Sequence, residues 1–145
     1  MMPSPESPAG AGDNAEHPDL AVPRILGDFE ALAKVIPESR GALWKLAEPG
    51  RQLDANLVHL PPGQHVVTHA EPDLDVLLLV VAGDGILGTT GHALQLAKGT
   101  ILWLPHGSSR SLAAGDDGLS YLTVHGRRPG MRIKSRHEVV GADPT

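Results

Sequence analysis

The feature that most constrains this chain is a regular alternation between short apolar runs and turn-forming residues from Gly41 onward. Strand-like runs cover residues 42–46, 56–60, 66–70, 76–82, 86–89, 93–96, 100–104, 110–113 and 119–124. Between them stand Pro61-Pro62-Gly63, Gly83-Asp84-Gly85, Thr90-Gly91-His92, Pro105-His106-Gly107 and a glycine-bounded segment at 115–118. Short strands recurring at roughly 8–12-residue spacing predict a β-sandwich or barrel. Gly83-Asp84-Gly85 is expected to be a hairpin turn. Run 76–82 is apolar at every position, so both of its faces need cover. Its outer residues Leu77, Leu79 and Val81 predict packing against an N-terminal helix or a second copy of the chain.

That helix is expected over residues 28–36. Asp28 is suited to cap it, Phe29, Leu32 and Ile36 share one face, and Pro37 ends it. Residues 1–22, rich in Pro, Ala, Gly and acid, lack apolar periodicity and predict a disordered tail. Residues 127–145 form a basic arm with five cations between Arg127 and Arg136. No aromatic is interleaved among them, which favours a solvated arm over a phosphate-binding patch. The folded domain is thus expected over residues 23–126, with the barrel at about 41–126.

Composition narrows the function. Cysteine is absent, which removes disulfides, thiolate metal sites and cysteine nucleophiles. A net charge of −5 argues against nucleic-acid binding, which needs a cationic surface. Run 76–82 has seven residues, against about 20 for a membrane helix, so no membrane partner is expected. The first dozen residues lack the basic and apolar regions of a secretory signal, so a cytoplasmic location is expected. No Gly-x-Ser-x-Gly elbow occurs.

Two blocks carry a resemblance. Gly63, His69, Glu71, Val76 and Gly83 follow the spacing of one motif; Gly99, Pro105, Gly107, Arg110 and Ala114 follow that of a second. Together they resemble the paired motifs of small single-domain cupins, over about residues 55–125. The resemblance implies an all-β jelly-roll barrel. It also implies a metal site of three His and one Glu, of which only His69 is kept. Glu71 stands at the second His position, Val76 at the Glu position and Arg110 at the third His position.

A guanidinium has no lone pair to offer a metal, so no cofactor is expected. Glu71 and Arg110 are expected to meet at the metal position in a two-toothed ion pair. With His69 beside them and Trp103 lining the pocket, they would bind a small anionic or carbonyl molecule. The alternative is a metal-dependent oxygenase or isomerase, in which a divalent transition metal is held by His69 and Glu71 with His59 or His125. A third reading is an interaction module without a pocket ligand. Small cupins are often dimers through their sheet faces, so the resemblance also implies a homodimer.

Overall fold

The computed structural model describes residues 21–34 and 41–128 and confirms an all-β chain with one short helix. The helix, α1, covers Phe29–Lys34. Asp28 caps it as expected: its Oδ1 accepts from the Glu30 N–H at 3.0 Å. The expected end of this helix at Ile36 and Pro37 lies outside the described residues, as do most of the two tails.

Seven strands follow: β1 (Gly41–Lys45), β2 (Leu53–Leu60), β3 (His65–Ala70), β4 (Val76–Thr89), β5 (His92–Ala97), β6 (Ile101–Leu104) and β7 (Ser109–Gly126). Every pairing is antiparallel. The first half of β4 pairs with β6 on one side and with the second half of β7 on the other. β2 and then β1 continue that sheet. The second halves swap partners. β4 beyond Gly83 pairs with β5, and the first half of β7 pairs with β3. Two sheets therefore share two long strands, and between them they wrap one core.

This corrects one expectation. Gly83-Asp84-Gly85 is no hairpin turn, because β4 runs through it without reversing. Likewise 115–118 is interior to β7. Both are bends, where the ladder shifts register between Val80 and Ala82 and again between Gly83 and Gly85. The physical reason is a close crossing. A Cβ on Gly83 would lie 2.0 Å from the Gly118 carbonyl oxygen, and φ is +75° there. Only glycine satisfies both demands.

Alternation sets what each strand buries. Val76, Leu78 and Val80 of β4, Leu60 of β2, Leu104 of β6, and Leu112, Ala114, Leu119 and Tyr121 of β7 make the core. The intervening residues form an outer face. Part of it is covered by α1, which lies against β1 and β4. Phe29 meets Trp44 edge-on, with ring centroids 5.6 Å apart. Farther along that face Leu77, Ile101 and Trp103 stay exposed, so α1 supplies only some of the cover that run 76–82 demands.

Gly83→Ala is expected to destabilise the chain by about 3 kcal/mol or more, since it adds backbone strain to a steric clash. Gly91→Ala, at φ +78° with open space around it, is expected to cost clearly less. Urea unfolding of the two variants makes the comparison; equal losses would refute the crossing as the reason for Gly83.

Candidate functional site

Of the predicted site residues, His69, Glu71 and Arg110 lie where β3 ends and β7 begins. His69 and Arg110 are direct register partners on these antiparallel strands, so their side chains leave the same face of the sheet. Arg110 alternates with Leu112 and Ala114, which turns it toward the core, and it is only 7% exposed. Its one hydrogen bond among the described residues is a long one, from Nη1 to the Ser108 carbonyl at 3.4 Å. Burial pulls its pKa down, and the nearby charge of Glu71 acts against this. A guanidinium carries five N–H donors. The other Arg110 nitrogens are not sealed in the core, because His59 Nε2 is the one fully buried, unpartnered side-chain atom among the described residues. They keep a slight contact with solvent.

His69 is exposed, with Nδ1 3.1 Å from the Val67 carbonyl. A carbonyl only accepts, so Nδ1 carries a proton in this contact.

Glu71 departs from the expected arrangement. It does not pair with Arg110; its Oε1 forms an ion pair with Arg128 instead. β3 ends at Ala70, so Glu71 lies past the strand and no longer obeys its alternation. Oε2 accepts from the Asp73 N–H at 2.9 Å. The Arg128 bond is the main influence holding the Glu71 carboxyl below its ordinary range, with the Asp73 N–H adding and partial burial opposing.

Arg128 belongs to the segment expected to be a solvated arm. Its first two residues dock instead. The Arg127 N–H donates to the Gln52 carbonyl at 2.9 Å. Arg128 reaches Glu71, and the charges of Glu71, Asp73 and Asp54 all favour its cationic form. Nothing in the local sequence signals this contact, since its partners are 57 residues apart.

Trp103 does not line the barrel, contrary to expectation. Leu104 points inward, so Trp103 takes the outer face and is 64% exposed. There it neighbours a pair that went unpredicted. Asp75 Oδ1 accepts from both the backbone N–H of His106 at 2.9 Å and its Nδ1 at 2.7 Å. Those bonds, the side-chain one first, hold the Asp75 carboxyl below its usual range, with the Trp103 side chain adding to the effect. The Gly107 N–H donates to the Glu71 carbonyl at 2.7 Å. Loops 71–75 and 105–108 are thereby clamped together as one rim beside Arg110.

The alternative metal set does not assemble. His59 alternates with core residues Val58 and Leu60, so it lies on the outer face, where its Nδ1 sits 2.9 Å from Ser120 Oγ. His125, at the far end of β7, has Nδ1 2.8 Å from the Gly126 carbonyl. No three His, Asp or Glu among the described residues are grouped closely enough to hold a metal ion. With Arg110 and Val76 at two of the ligand positions, the residues present do not fit the metal that the barrel family implies. Arg110 lines neither of two surface clefts, although its chain neighbours Ser109 and Ser111 line the second. One of about 500 Å³ is lined by Arg24, Leu26, Phe29 and Trp44, and one of about 270 Å³ by Thr68, Thr89, Ser109 and Ser111. No helix among the described residues is long and apolar enough to cross a membrane.

No family model and no curated protein matches the sequence. Solved structures do match. The cupin domain of Cnp3 from Schizosaccharomyces pombe superposes with a TM-score of 0.59 at 15% identity, over 83% of this chain and 80% of that one. A cupin-2 domain containing protein from Shewanella frigidimarina gives 0.56 at 13% identity, over 70% and 95%. A cupin protein from Bacteroides fragilis gives 0.53 at 16% identity, over 67% and 84%. At these identities the likeness establishes the jelly-roll fold.

His59 makes a prediction of its own. It is 3% exposed, and burial holds its pKa below the ordinary 6.5. Below pH 6.5 the unfolded chain takes up a proton that the folded chain refuses. The stability from this group is therefore complete above pH 6.5 and is lost as pH falls through the folded value. Unfolding free energy is expected to fall by up to about 1.4 kcal/mol per pH unit in that window. His59→Gln should flatten the slope, as measured by urea unfolding at about pH 7.5 and pH 5. Equal slopes in the two proteins would count against a neutral, buried His59.

Proposed function

We propose that this chain, a cupin by fold, binds a small anionic molecule at the rim of its barrel, with Arg110 as the principal contact. The observation that carries this reading is a guanidinium almost fully buried, with one long hydrogen bond and no ion pair among the described residues. Burying such a charge is costly unless it is paired and hydrogen-bonded. A ligand carboxylate or similar oxyanion supplies both, through the two parallel bonds that arginine favours. His69 stands in register beside Arg110 and offers Nε2 to a hydroxyl or protonated group on the same ligand. Glu71 sets the negative edge of the site. The metal-dependent alternative lacks a convergent donor set among the described residues.

We also propose a homodimer through the outer face. Leu77 and Trp103 are register partners, as are Leu79 and Ile101. Leu77, Ile101 and Trp103 are all exposed, and they form an apolar row of the kind that marks protein contacts.

Malonate titrated into the protein and followed by calorimetry tests the ligand. Binding is expected, and Arg110→Gln should weaken it at least about tenfold, since a charged hydrogen-bonded contact is worth about 1.5–3 kcal/mol. Failure of malonate, acetate and phosphate to bind at about 50 mM would end the reading. Sedimentation tests the dimer. The native chain should exceed its 15.2 kDa monomer mass, and Ile101→Asp with Trp103→Asp should return it to that mass. A native monomer at about 100 µM would overturn this assembly.

A further inference from the structure

We infer that Arg128 is a positioning residue: by holding Glu71, it keeps the guanidinium of Arg110 open to an anion rather than closed in an internal ion pair. The inference rests on the anion-binding reading above and adds how the chain protects that site from its own carboxylate.

Glu71 follows His69 by two residues, and His69 faces Arg110 across the strands. Glu71 lies just past the end of β3, near enough for its charge to act on Arg110. Left to itself, Glu71 is thus the natural partner of Arg110. That pair would also be the stronger one, because charges attract more strongly away from water and exposed pairs are worth little. Arg128 is the more exposed of the two cations: its side chain is 54% accessible, while Arg110 is buried. Yet Glu71 pairs with Arg128.

What tips the balance is the placement of Arg128. Its neighbour Arg127 is tied to the loop before β2, by its N–H to the Gln52 carbonyl and by its guanidinium to the Arg51 carbonyl. This delivers Arg128 to Glu71 at little further entropic cost. The charges of Asp73 and Asp54 also favour the cation there. The Asp73 N–H takes the second Glu71 oxygen at 2.9 Å. Both oxygens of Glu71 are therefore engaged by groups other than Arg110, whose own donors make one long bond among the described residues.

The test compares the native chain with Arg128→Gln, Arg128→Lys and the double variant Arg128→Gln/Glu71→Gln. The first readout needs no ligand: hydrogen exchange of the Arg110 Nε–H, followed by NMR. Arg128→Gln should slow that exchange at least about fivefold as Glu71 closes on Arg110. The double variant and Arg128→Lys should restore the native rate. The second readout is malonate affinity, which Arg128→Gln should lower about tenfold. The loss should persist at about 0.5 M salt, where a mere long-range field is screened. Unchanged Arg110 exchange in Arg128→Gln overturns the inference whatever malonate does, as does unchanged or tighter malonate binding. If malonate fails to bind the native chain, the anion-binding reading falls. The exchange comparison then still decides whether Arg128 holds Glu71 away from Arg110.

Discussion

The structure depends on one pairing, that of β4 with β7. Each strand serves both sheets, and their mutual ladder runs from Leu77 opposite Val124 to Gly88 opposite Ser111. Two straight strands of this length would make a flat ribbon with no interior. The ladder instead bends where Gly83 and Gly118 meet, so the first part faces the second across a core of leucine and valine. Leu78, Val80, Leu87 and Leu119 are almost wholly removed from water there. β2 and β3 are added to β7, and β5 and β6 to β4. The interior of the barrel is in this sense a property of two crossing glycines.

The site inherits its geometry from the same pairing. Because β7 supplies Arg110 and β3 supplies His69 in direct register, the two are fixed relative to each other by backbone hydrogen bonds. Glu71, beyond the end of its strand, has no such constraint and answers to whichever cation is best placed. A rim built this way has a rigid half and a responsive half. The rigid half presents donors, and the responsive half sets how much negative charge they see.

How far the sequence revealed this is clear from particular residues. The scaffold positions Gly63, Gly83, Gly99, Pro105 and Gly107 were legible because backbone constraints leave local marks. Gly83 was nonetheless read as a turn, since a bend at a crossing and a hairpin ask for the same residue. Arg110 was legible through the resemblance, as the residue at a ligand position of the second motif, and its burial follows from alternation with Leu112. Trp103 was not: in a run such as Ile101-Leu102-Trp103-Leu104 every residue is apolar, so hydrophobicity cannot say which side faces in. The Glu71–Arg128 contact was hidden for a different reason. It joins distant positions by charge alone, and charges on a surface have many possible partners. The Asp75–His106 pair was hidden in the same way.

The position of β7 in the chain has a consequence for how the domain is made. It follows every other described strand, yet it lies between β2 and β4 in one sheet and between β3 and β4 in the other. During synthesis, β2 and β3 wait with open edges until β7 leaves the ribosome, and neither sheet can close before then. Pairing Leu53 with Gly126 then brings together residues that are distant along the chain, the kind of contact that slows folding. Unpaired strand edges invite association with other chains in the interval. The step at greatest risk is the late threading of one strand between neighbours that have been waiting for it.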